Sequence, residues 1–119
     1  IRGLDKNGLE CIIDLGILPI SKKILAIKSD GTLNLCDFSN CNSINSLESS
    51  IKSVAIEILN EEIAIVGYLN GKIHIYNITS TKSIKTFSHY GLVDLEKIKI
   101  KDFLSVSFLN RTIQRWDIN

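Results

Sequence analysis

GTLNLCDF (31–38), GKIHIYNI (71–78) and RTIQRWDI (111–118) each begin 40 residues after the one before. Such self-similarity at one interval is the mark of a repeat architecture. The agreement extends beyond the octapeptides. Leu33, Ile73 and Ile113 share a column, as do Phe38, Ile78 and Ile118. Ala26, Val66 and Val106 match, and so do Asp30, Asn70 and Asn110. Leu18, Ile58 and Ile98 align upstream, while Ser43 and Ile44 align with Ser83 and Ile84. The step of 40 needs no gap in any of these columns.

Each unit reads as four short strands, labelled a to d in chain order. Strand a covers 11–17, 53–59 and 93–100. Strand b covers 24–27 and 63–66 in the first two units, and strand c is the octapeptide. Strand d covers 43–47 and 83–87. Asp30-Gly31 and Asn70-Gly71 predict type I′ hairpin turns between b and c, with positive φ at both central residues. In GKIHIYNI, Ile73 and Ile75 point one way and Tyr76 and Ile78 the other. Strands apolar on both faces belong to sheets covered on both sides. No segment has a sustained 3.6-residue period with caps, so almost no helix is expected.

Composition agrees. The chain has 119 residues, 45% apolar and 23% charged, with a net charge of +1. Ile fills 21 positions and Pro one, which favours strands. A near-neutral charge gives no general attraction to nucleic acid or anionic membrane. No apolar run is long enough for a transmembrane helix. The three cysteines, Cys11, Cys36 and Cys41, form no disulfide framework or zinc spacing. They read as reduced thiols, which places the chain in the cytoplasm or nucleus. The absence of Met points to a piece of a longer or processed protein.

A repeat of about 40 residues with four strands, closing on Trp116-Asp117, resembles the WD40 β-propeller family. The resemblance spans the whole chain, although one unit alone carries the literal Trp-Asp; Cys36-Asp37 and Tyr76-Asn77 stand there in the others. It implies an all-β partial propeller of about three four-stranded antiparallel blades. Residues 1–10 would be the outer strand of a preceding or closing blade. Blade one would cover 11–48, blade two 49–88, and blade three 89–119 without its own outer strand. Three blades cannot close a circle. The remaining blades would come from the parent chain, or two copies would join head to tail. The family also implies a buried tetrad of His before strand a, Ser or Thr on b, Asp at the b–c turn, and Trp. In the third unit His89, Asn110 and Trp116 take three of these places, and Val106 falls where the hydroxyl belongs, which breaks the network. The second unit offers Ser49, Asn70 and Tyr76; the first keeps Asp30 alone.

The resemblance further implies a non-catalytic protein–protein interaction scaffold. An RNA-associated propeller in ribosome or transcript processing is the alternative. The partner face would carry the d–a and b–c loops, with His89, Tyr90, Leu69, Leu109 and Arg111 as candidate contacts. No residue is expected to be catalytic or to bind a cofactor or metal. His74 shares a polar column with Asn34 and Gln114 and reads as structural. Asp14 and Asp94 share a column with Val54 and read as polar groups near the axis rather than an acid–base pair. The run from Lys97 to Lys101 reads as a strand with one wet face or a basic patch at the channel. Arg115 breaks the aliphatic column of Leu35 and Ile75, so one face of the last unit should meet something other than a standard blade.

Overall fold

The computed structural model describes residues 12–37, 39–44, 51–99, 102–107 and 111–118. The expected first outer strand, 1–10, lies outside them, as do Phe38, Ser49, Leu109 and Asn110. Eleven strands and no helix appear among the described residues. The first sheet runs β1 (Ile12–Ile17), β2 (Ile24–Lys28), β3 (Leu33–Cys36), β4 (Cys41–Ile44). The second runs β5 (Ser53–Ile58), β6 (Ile63–Tyr68), β7 (Lys72–Asn77), β8 (Lys82–Ser88). The third has β9 (Leu92–Lys99), β10 (Asp102–Ser107) and β11 (Thr112–Asp117). All pairings are antiparallel between neighbours in sequence. The sheets stack side by side, with β5 touching both β1 and β9.

The second sheet explains the stacking. Ala64, Val66, Tyr68 and Tyr76 face the first sheet and pack with Leu25, Ile27 and Leu33. Ile65, Ile73 and Ile75 face the third sheet and pack with Leu95 and Phe103. Phe87 and Trp116 close that second layer, their ring centroids 4.9 Å apart. Each fully buried aliphatic or aromatic side chain contributes roughly 1.5–3 kcal/mol relative to exposure. Neither face of this sheet could meet water without losing several such contributions.

The b–c hairpins depart from the expected type I′ turn. Gly31 and Gly71 have φ of 86°, but Asp30 and Asn70 are not among the residues of positive φ. Gly31 N donates to Lys28 O, and Lys28 N to Thr32 O. This is the three-residue loop of a type I turn followed by a left-handed residue. Asp30 instead accepts: its Oδ1 takes Thr32 N at 2.9 Å and Thr32 Oγ1 at 2.7 Å. Asn70 Oδ1 likewise takes Lys72 N. The glycines have a second cause. A Cβ on Gly31 would lie 2.4 Å from Lys52, and one on Gly71 2.8 Å from the His89 carbonyl. The next sheet's loop presses on each turn and is held there by its glycine carbonyl. Ser53 N and Oγ donate to Gly31 O, and His89 N donates to Gly71 O.

At the other end, Glu61 ties the second sheet to the first. Its carboxylate accepts from Ile20 N and Ser21 N at 2.8 and 3.0 Å. Hydrogen bonds from Ser21 and Ile20 hold it below the usual carboxylate range. The inner strands share one irregularity. The register skips a residue at Ile13, Val54 and Val93. After the skip, Leu15 N and Leu95 N each donate to the preceding aspartate, Asp14 or Asp94. The second sheet has Ala55 at that place, and Ile56 N donates to Asp14 Oδ2 of the neighbouring sheet at 3.0 Å. Asp14 thus serves two sheets, a structural role in keeping with its reading as a polar group near the axis.

The reading of reduced thiols is corrected. Cys36 and Cys41 stand directly opposite each other on β3 and β4 and form a disulfide. The intervening turn is tightened by Asp37, whose Oδ1 accepts from Ser39 N and Asn40 N. Those bonds hold Asp37 below its ordinary carboxylate range. With the bond formed, the thiols no longer argue for cytoplasm or nucleus. Among the described residues no helix is long and apolar enough to cross a membrane.

Among the described residues one buried side-chain group stands without a hydrogen-bond partner. The Tyr76 hydroxyl is fully enclosed and has no hydrogen-bond partner among the described residues. Burial, with Tyr68 nearby, pushes it up to about 12. Replacing Tyr76 by Phe removes the unpartnered oxygen and keeps the ring, so stability should rise by about 1 kcal/mol. The urea midpoint measures this; a fall of similar size would show that the hydroxyl is satisfied.

Candidate partner-binding surface

The surface lies at the end of the sheets where the b–c turns meet the loops entering β5 and β9. Tyr68 and Lys72 bracket the turn that lifts Leu69 into solvent, 62% exposed. The neighbouring loop carries Tyr90, 70% exposed. The two tips adjoin, because Gly71 packs against the backbone of His89 and Tyr90. Arg111 is exposed at the next turn, with φ of 53°. Leu109 and Asn110 lie outside the described residues.

The backbone beneath these tips is pinned. His89 is 8% exposed and points inward beneath the two tips. Its Nδ1 meets Ser105 Oγ, and its Nε2 meets Thr112 Oγ1 at 2.8 Å. Trp116 Nε1 donates to Ser105 Oγ at 2.8 Å. One directed chain satisfies all four groups. The indole N–H donates to the serine oxygen, the serine O–H to Nδ1, and Nε2–H to the threonine. Ser107 Oγ adds a bond to the Tyr90 carbonyl at 2.7 Å.

The hydroxyl expected to be missing at Val106 is present one residue earlier, while Asn110 lies outside the described residues. Ser105 supplies the hydroxyl, with Thr112 in the chain beside it. Register explains the difference. The pair Ile56↔Val66 corresponds to Leu95↔Ser105, 39 residues on, not 40. Five residues separate Gly67 from its partner Ile73, whereas six separate Val106 from Ile113. The third hairpin is one residue longer and strand b enters one residue earlier. Phe103, Ser105 and Ser107 are buried, and Val106 faces the other way. Small polar residues alternating with Phe in DFLSVS carried the signal.

His74 is structural, as read: its Nδ1 meets Ser83 Oγ at 2.7 Å and its ring lies edge-on to Tyr68. Lys97 donates to the Leu59 carbonyl across the sheets. A cleft of about 340 Å³ beside the inner strands is lined by Ile17, Pro19, Glu57, Leu59 and Lys97. Burial and then the carboxylates of Glu96 and Asp14 push Glu57 above the usual range, with Lys97 opposing. Its folded value is raised, so it favours folding below the unfolded value, and that contribution is lost as pH rises through the folded one. A second cleft, about 190 Å³, lies beside Asp30, Ile44, Ile51 and Tyr68.

No protein-family profile matches the chain, and no curated protein resembles it in sequence. Among solved structures it is similar to the β-propeller domain of Cps50 (Swd1) from Myceliophteria thermophila. The TM-score is 0.75 at 12% identity over 89% of this chain. The chain spans 38% of that solved chain's length. The fold is thus that of a β-propeller segment.

The network makes a quantitative demand. Ser105→Ala leaves the Trp116 N–H and His89 Nδ1 without their shared partner. It should destabilise the chain by about 1–3 kcal/mol, read from denaturant midpoints. Wild-type stability in this variant would mean the serine does not join the two rings.

Proposed function

We propose that the chain is a WD40-type propeller segment that acts as a non-catalytic protein–protein interaction scaffold within a larger protein or assembly. The 40-residue period and the His89–Ser105–Trp116 network support the family. The single observation that supports the function is the pair Leu69 and Tyr90. Two large apolar side chains stand in water at adjoining tips, 62% and 70% exposed. Nothing in the folding of the chain requires that exposure. The backbone beneath them is tied by His89 N to Gly71 O at 2.7 Å and by the buried network. Rigid aromatic and aliphatic anchors of this kind concentrate binding energy at protein interfaces.

Arg111 lies one sheet further along the same end and supplies a cation at the rim. A protein surface with an apolar centre and an acidic margin fits this arrangement. Photo-crosslinking in the source cells tests the reading. A photoreactive residue at position 90 should give a discrete protein adduct that Leu69→Asp abolishes. The same residue at position 79, in the turn at the opposite end, should give none. Equal labelling from both positions, or adducts indifferent to Leu69, would contradict the proposal.

A further inference from the structure

The outward face of the third sheet matches two faces that are covered. Leu104 corresponds to Leu25 and Ile65, and Ile113 to Leu33 and Ile73; all four counterparts are at most 2% exposed. Ile113 is 68% exposed. Leu104 and Val106 beside it are half-buried. The face is therefore built as an interior surface.

It is not shaped for another sheet of the same kind. Arg111 stands where Gly31 and Gly71 admit the next loop, and a Cβ at either glycine would collide with that loop. Arg115, whose side chain is 62% exposed, replaces Leu35 and Ile75. Asp94 matches Asp14, which on the first sheet holds the next sheet's Ile56 N–H. That similarity favours a further standard sheet; the charged Arg111 and Arg115 in place of glycine and aliphatic residues weigh against one.

The charges on the face are self-complementary. The β9 edge carries exposed Asp94 and Glu96, and the β11 edge carries Arg111 and Arg115, with Asp117 at its far end. β10 lies between them with Leu104 and Val106. Glu96, Leu104 and Arg115 form one row across the three strands. A twofold axis parallel to β10 lays β9 of one copy over β11 of another. Glu96 then opposes Arg115 of the second copy, Leu104 meets Leu104, and Asp94 comes within reach of Arg111. Arg115 already bonds Asp102 of its own sheet, which orients the guanidinium and leaves donors to spare.

We infer that this face is a homodimer interface, in which two copies of the chain pack third sheet against third sheet about a twofold axis. Twofold, isologous contacts are the commonest route to symmetric assembly. This interface shares Arg111 with the rim of the proposed partner surface but leaves out Leu69 and Tyr90, so variants at those two residues test the partner surface alone.

Light scattering on the 119-residue chain should give twice 13.3 kDa. Ile113→Asp should return the mass to that of one chain. Glu96→Arg and Arg115→Glu should each weaken pairing by about tenfold or more, and mixing the two variants should restore it. Glu96 is exposed and makes the cleaner variant; combining both changes in one chain should also restore pairing. Leu69→Ala with Tyr90→Ala should leave the dimer intact. A single-chain mass for the wild type would overturn the inference. So would a dimer broken by Ile17→Asp, on the first sheet's far side, as well as by Ile113→Asp, because that pairing is head to tail, first sheet against third. Failure of the charge exchange to rescue would overturn it as well.

Discussion

A sheet that is apolar on both faces cannot exist alone in water. That constraint governs this chain. β6 and β7 put Val66 and Tyr76 on one side and Ile65, Ile73 and Ile75 on the other, every one at most 1% exposed. Each side must be covered, and the chain covers it with a neighbouring copy of the same unit. The repeat of 40 residues is the sequence form of this requirement. Evenly spaced units present evenly shaped faces, and the turns need only bring them into contact.

Polar groups then fix how the faces meet. At one end the Gly31 and Gly71 carbonyls hold the next loop; at the other Glu61 holds the loop at Ile20. Along the inner strands Asp14 satisfies an N–H on each of two sheets. These contacts are few, but each joins backbone to backbone or to a carboxylate, so each sets a distance. Apolar packing supplies most of the stabilisation, and the polar links set the register between sheets. The aromatic layer of Phe87, Phe103 and Trp116 shows both at once: the indole packs on two rings and donates its N–H to Ser105.

The strand order and the two-faced sheets were legible in the sequence, because alternation and spacing record burial directly. The turn glycines were legible too, although for half of their reason. Positive φ can be read from Asp-Gly; the pressure of Lys52 on Gly31 cannot, since it comes from the next unit. The third unit misled at Val106. An insertion in the hairpin and a deletion before β9 cancel in the count, so the gapless spacing hid a one-residue shift that turns every side chain of β10 over. The disulfide was hidden for a similar reason. Cys36 and Cys41, five positions apart, look like chance until β3 and β4 pair and set them opposite. At the surface, Tyr90 and Leu69 could be named from loop position; His89 was read both as a tetrad member and as a contact, and the structure places it in the interior, facing Ser105.

Native-state amide hydrogen exchange on the wild type and on Phe103→Ala tests the mutual cover most directly. Phe103 belongs to the third sheet and packs against the middle one. If each sheet depends on its neighbours, β6 and β7 are the slowest strands to exchange, and the substitution lowers their protection together with that of β10. Unchanged protection in β6 and β7, with loss confined to the third sheet, would show that the sheets are stable singly and would contradict the account.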